Sequence, residues 1–304
     1  MISTPVEHRT ALERRAQERY CVTSDGAELR VLDFEEAGPD AGPTILLVPG
    51  FATVFPSWEA VVGLLVQQHR VLYFESREKG SCRMPDLRTE RAVGLHRMAR
   101  DLAEIVPGLL RDGEEYWVLS SSTGGTIMAE ALSECWLEPE AAIFVGPAIE
   151  HRLSRWAAFG TSILPSALRL VAMPLYRLYL RRVHVDRGRH PEQFAKYSRA
   201  AEEVRLPRIR QLLWEMTRHQ CWDLLPRIST PSLVVGAADD GMHAAEDGRR
   251  AQRLLVDATY VELENNQATH SSALVRCLEE FGHALDSREA SGVKVARLSA
   301  AVGG

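Results

Sequence analysis

A chain of 304 residues with 45% hydrophobic and 25% charged side chains can bury a sizeable core, as one large α/β domain or as a core domain carrying an insertion. Its formal net charge of −5 excludes a generally basic nucleic-acid binder and says nothing about substrate. The five cysteines, Cys21, Cys82, Cys135, Cys221 and Cys277, are scattered and form no C-x-x-C pair, so they read as reduced thiols and point to neither a disulfide framework nor a zinc site.

Residues from about Glu7 to Gln17 read as a polar helix with no apolar secretory core, and a cytoplasmic location is expected. Arg19–Thr23 and Glu28–Phe34 flank the turn Ser24-Asp25-Gly26, a hairpin signal. After a Gly/Pro-rich loop, Ile45–Val48 is a continuous apolar run, as expected of a strand covered on both faces. Pro49-Gly50-Phe51 ends it, Trp58–Leu65 has helical spacing, and Arg70–Phe74 is the next strand. Glu75 to Arg88 reads as a polar loop, and Val93, Met98, Leu102, Ile105 and Leu109 recur at helical intervals. Further strands are predicted at Tyr116–Leu119, Ala141–Val145, Leu233–Val235 and Tyr260–Leu263, with a closing helix over Ser271–Leu285. Strands alternating with helices predict an α/β fold, a mostly parallel central sheet with helices on both faces. The long gap without a good strand between Val145 and Leu233 predicts an inserted helical cap at one edge of the sheet.

Between strand and helix stands Ser120-Ser121-Ser122-Thr123-Gly124-Gly125. In the nucleophile elbow of serine hydrolases, G-x-S-x-G, the residues two before and two after the nucleophile must be small, and Ser120 and Gly124 fit those places around Ser122. A nucleophile at Ser121 would put Thr123 where the helix packs closely on the strand. By itself the stretch would also suit a loop that caps the helix or cradles a phosphate.

The order of these pieces resembles the α/β-hydrolase fold family over roughly residues 19–147 and 226–285. The resemblance implies a core of residues 1–147 and 226–285 and a helical cap over 148–225, and the small, polar composition after Asp286 predicts a disordered tail over 286–304. It also implies a Ser-acid-His triad in that chain order. Gly236-Ala237-Ala238-Asp239 after a strand resembles the family's G-x-x-D acid turn and selects Asp239, with Asp240 as the adjacent rival and Glu150 as a remote third. His270, after the last strand, occupies the family's base position. His243 is the nearest competitor, but it lies in the acid turn with no evident loop to return it over Ser122. His69 and His96 read as structural. Pro49-Gly50-Phe51 resembles the family's His-Gly-x, so the oxyanion hole is expected from the backbone N–H groups of Phe51 and Thr123. Glu75–Cys82 looks like the D-x-R-G-x-G-x-S turn but keeps only Arg77 and Gly80 outright, and reads as structural.

No H-E-x-x-H, acidic ligand cluster or G-x-G-x-x-G is present, so no metal and no cofactor is expected. From His151 to His190 eight arginines face a single acidic residue, Asp186, among apolar side chains. The apolar faces are expected to pack over the site, with Trp156, Phe159, Leu164, Leu170 and Tyr176 as candidate contacts for an acyl group. The arginines suggest weak peripheral contact with anionic surfaces. The expected activity is a cofactor-independent hydrolase of carboxylic esters or thioesters acting through an acyl-enzyme on Ser122. Acyl transfer, lyase chemistry on the same residues, or a non-catalytic ligand-binding protein of this fold remain open alternatives.

Overall fold

The computed structural model describes residues 9–35, 41–151, 199, 205–240 and 243–290. Eight strands, β1 (Gln17–Val22), β2 (Glu28–Phe34), β3 (Thr44–Val48), β4 (Val71–Phe74), β5 (Tyr116–Ser121), β6 (Ala141–Val145), β7 (Ser232–Ala237) and β8 (Ala258–Leu263), form one sheet. Its order is β1-β2-β4-β3-β5-β6-β7-β8, antiparallel through β1, β2 and β4 and parallel from β4 to β8. The described helices of the α class are α1 (Glu59–Leu65), α2 (Leu87–Arg91), α3 (Leu95–Ile105), α4 (Thr123–Ser133), α5 (Leu206–Met216), α6 (Ala245–Leu254) and α7 (Ser272–Ala290).

Strands β3, β4 and β6 are buried at every residue, which is why their sequences run apolar without alternation. Each face then has its own core. Leu46, Val48, Leu72 and Val118 pack with Met98 and Leu102 of α3 and Ile127 and Met128 of α4. Ile45, Leu47, Tyr73 and Leu119 pack with Val61 and Val62 of α1 and Leu274, Leu278 and Phe281 of α7. Each fully buried Leu, Ile or Phe of this kind contributes about 1.5–3 kcal/mol from removal of apolar surface from water.

Strand order reverses at β3, which lies between β4 and β5, so the loops after β3 and β5 open into one crevice at the carboxyl ends of the strands. Val48 of β3 stands opposite Ser120 of β5. Two residues further on, Gly50 and Ser122 therefore emerge side by side, where the resemblance places an oxyanion loop and a nucleophile.

The fold departs from the sequence expectations in four places. Among the described residues before β1 only a short 3-10 turn, Glu13–Arg15, forms, and its Glu13 is buried and paired with Arg199 through two 2.9 Å hydrogen bonds. The insertion leaves β6 and returns to β7, which are interior neighbours and not an edge of the sheet. The charged stretch Glu75–Lys79 is buried at 3% exposure or less instead of forming a solvated loop. Arg77 there bonds Asp101 and Asp25, and Arg208 donates to the carbonyls of Arg77, Lys79 and Cys82. Helix α7 continues to Ala290, past the expected start of the tail at residue 286. Trp156, Phe159, Leu164, Leu170, Tyr176 and the basic stretch after His151 lie outside the described residues. Among the described residues no helix is long and apolar enough to cross a membrane.

Candidate active site

The turn from β5 into α4 is tight because of what surrounds it. Ser122 has φ 50° and ψ −121°, a backbone conformation that costs a non-glycine residue about 1–3 kcal/mol. Three hydrogen bonds hold it there: Ser122 N–H to Val145 O at 3.1 Å, Gly125 N–H to Ser122 O at 2.9 Å and Ala148 N–H to Ser122 O at 3.1 Å. The helix then passes against the end of β3. A Cβ on Gly124 would meet Val48 O at 2.2 Å, so glycine is required at that position. Ser120, which replaces the first elbow glycine, is buried and donates its hydroxyl to Ile143 O at 3.0 Å, so the substitution leaves no orphan polar atom.

Ser122 Oγ lies 2.9 Å from His243 Nε2, and His243 Nδ1 lies 3.0 Å from Asp240 Oδ2. A carboxylate only accepts, so in the neutral imidazole Nδ1 carries the proton and Nε2 is the bare acceptor for the serine hydroxyl. Asp240 also accepts the His243 backbone N–H at 3.1 Å, which holds the acid and the imidazole in one local turn. The hydrogen-bonded sequence from Ser122 therefore runs through His243 and Asp240.

This departs from the expected partners, Asp239 and His270. Asp239 Oδ1 accepts the Asn266 N–H at 2.8 Å and so ties the acid turn to the loop bearing the other histidine. The His270 ring packs on Trp58 with centroids 4.5 Å apart, and its Nδ1 lies 2.9 Å from Thr269 Oγ1. Gly146, just after β6, takes φ 48°, a left-handed conformation that favours glycine, and His243 Nδ1 and Asp240 Oδ2 lie 3.4 and 3.6 Å from where a Cβ would stand, an ordinary packing distance. The acid turn thus packs against the end of β6 and over the elbow without a long loop. The Asp-x-x-His spacing of Asp240 and His243 was the available signal, since it lets one carboxylate bind both the backbone and the ring of the same histidine.

The remaining candidates separate cleanly. Phe51 sits in the loop beside the elbow, and Thr123 is the first residue of α4. Among the described residues neither of their N–H groups donates to a protein acceptor, as an oxyanion hole requires. Glu150 Oε2 accepts Trp222 Nε1 at 3.2 Å. His69 Nδ1 bonds Pro43 O at 2.9 Å, and His96 bonds Glu130 on the surface of α3. His151, at the exit from β6, has its pKa pushed down to about 4 by burial, with further lowering from the nearby His219 and His243. Thr126 Oγ1 donates to Ala148 O at 2.6 Å and lies 3.3 Å from His151 Nε2, so His151 carries its proton on Nε2. Among the described residues no three His, Cys, Asp or Glu side chains stand together to hold a metal ion.

Solved structures share this architecture. A thermophilic esterase from Thermogutta terrifontis superposes with a TM-score of 0.70 at 18% identity, over 89% of this chain and 99% of that one. An enol-lactonase from Burkholderia xenovorans gives 0.67 at 18% identity, over 84% and 97%. A hydrolase from Pseudomonas aeruginosa gives 0.67 at 18% identity, over 88% and 98%. In sequence, 138 residues are 30% identical to a protein named probable oxidoreductase EphD from Mycobacterium tuberculosis and Mycobacterium bovis. That alignment takes in 44% of this chain and only 22% of the relative. The family model described as serine aminopeptidase, S33 (Hydrolase_4), matches residues 44–270, from the first residue of β3 through His270. The chain belongs to that family of α/β-hydrolase enzymes.

Proposed function

We propose that this hydrolase cleaves carboxylic esters or thioesters without a cofactor, through an acyl-enzyme on Ser122. The observation that carries the reading is the hydrogen-bonded sequence Ser122–His243–Asp240 at a strained elbow, beside N–H groups of Phe51 and Thr123 that donate to no acceptor among the described residues. Ser122 Oγ attacks the acyl carbon while His243 Nε2 takes its proton, and Asp240 stabilises the imidazolium that results. Phe51 and Thr123 donate to the oxygen on which negative charge develops. Collapse breaks the bond to the leaving alcohol or thiol, which takes the proton back from His243. A water then gives a proton to His243 and attacks the acyl carbon, and the same steps release the acid and restore Ser122. The aromatic and aliphatic residues Trp156, Phe159, Leu164, Leu170 and Tyr176 supply an apolar environment for the acyl group in this reading.

The test is a fluorophosphonate probe followed by p-nitrophenyl esters of increasing acyl length and an aminoacyl p-nitroanilide. Labelling of the wild type that vanishes in Ser122→Ala, with turnover rising as the acyl chain lengthens, supports the reading. A folded wild type that resists the probe removes it, and preference for the aminoacyl amide replaces the ester by a peptide-type substrate.

A further inference from the structure

In the buried turn after β4, Glu78 stands where the pattern it resembles has glycine, Lys79 follows it, and both side chains are 1% exposed. Lys79 Nζ lies 3.3 Å from Glu78 Oε1 and donates to Thr53 O at 2.5 Å. The Ala52 N–H faces Glu78 Oε1 at 3.4 Å. Ala52 itself has φ 55°, a left-handed conformation that a non-glycine residue keeps only when its surroundings impose it. The other carboxylate oxygen, Glu78 Oε2, is buried with no hydrogen-bond partner.

A buried carboxylate beneath this loop opposes a second negative charge above it, because low-dielectric surroundings screen the repulsion poorly. An ammonium group between them cancels that opposition. We infer that Lys79 is a positioning residue for the oxyanion hole: it pins the 51–53 backbone through the Thr53 carbonyl and neutralises Glu78, so that the Phe51 N–H faces the developing oxyanion. This inference rests on the reading of Phe51 as an oxyanion donor.

The experiment compares Lys79→Met with the double variant Glu78→Gln/Lys79→Met, using ester turnover, fluorophosphonate labelling rate and thermal unfolding. Lys79→Met is expected to lower kcat about 100-fold with KM within about twofold, the size of effect seen when an oxyanion donor is lost. The double variant, which leaves no unpaired buried charge, is expected to recover to about 10-fold below wild type. An effect confined to KM, or a double variant no faster than the single one, overturns the inference. If Lys79→Met fails to fold, the double variant alone decides, and a kcat within about twofold of wild type overturns the anchoring role. A wild type that neither turns over nor labels overturns the serine-hydrolase reading together with this one. A wild type that labels at the same rate as both variants overturns this one alone.

Discussion

Gly50 and Ser122 face each other across the parallel pair β3 and β5 so closely that a Cβ on Gly50 would stand 3.0 Å from Ser122 Cβ and 3.2 Å from Thr53 Oγ1. The approach is set two residues earlier, where Val48 and Ser120 stand in register. An added methyl in Gly50→Ala makes Ser122, Thr53 or the loop bearing Phe51 give by a few tenths of an ångström, which shifts the Phe51 N–H relative to the serine. The expected result is a fall in kcat of about 10- to 100-fold with little change in melting temperature. Unchanged kcat would mean that the added methyl is absorbed without displacing the Phe51 N–H from its place beside the serine.

Gly124 has no such freedom to move its neighbours. The atoms in the way are the backbone oxygens of Val48 and Pro49, at 2.2 and 2.7 Å from the added Cβ, and both belong to the central sheet region. Gly124→Ala is expected to destabilise the fold by about 3 kcal/mol or more, since overpacking against backbone forces the helix and strand apart. Chemical denaturation measures this directly, and a loss below about 1 kcal/mol would show that α4 re-seats at little cost.

The two histidines can be separated by substitution. His243→Ala is expected to lower turnover by up to roughly 10⁶-fold, with Asp240→Asn lower by a smaller factor, as when a base and its orienting acid are removed from a triad. His270→Ala removes a ring that packs on Trp58 and is expected to act more on stability than on turnover. Crippling losses in Asp239→Asn and His270→Ala, with His243→Ala active, would return the base to the position that the family resemblance selects.

Acid sensitivity has a local source in His151. Its folded pKa, pushed down to about 4 by burial from an ordinary 6.5, means that the unfolded chain binds the proton more readily than the native one. Its contribution to stability is therefore complete above pH 6.5 and is lost progressively as pH falls toward 4. His151→Gln, which keeps a hydrogen-bonding side chain without that proton site, should flatten the decline. The difference expected at pH 4 is about 3 kcal/mol, read from denaturant titrations at both ends of the window.

The order of strands and helices was legible because each element carries its own short-range pattern. Apolar runs marked β3 to β7, and the small residues around Ser122 marked a tight strand-to-helix turn, which the order of the other pieces made an elbow. The buried turn at Glu75–Lys79 was not legible, because its charges look like a solvated loop until Asp25, Asp101 and Arg208 arrive from distant parts of the chain. Nor could the early charged segment be read, since Glu13 finds Arg199 across 186 positions.

By itself, then, the sequence determined an α/β fold with a mostly parallel sheet, which follows from periodicity, and its resemblance to the α/β-hydrolase family singled out the turn at Ser122. The tertiary structure alone decided which histidine meets the serine hydroxyl. That choice depends on the acid turn packing over the elbow, which brings His243 Nε2 to 2.9 Å from Ser122 Oγ across 121 positions of the chain, and that approach is not a local property of the sequence.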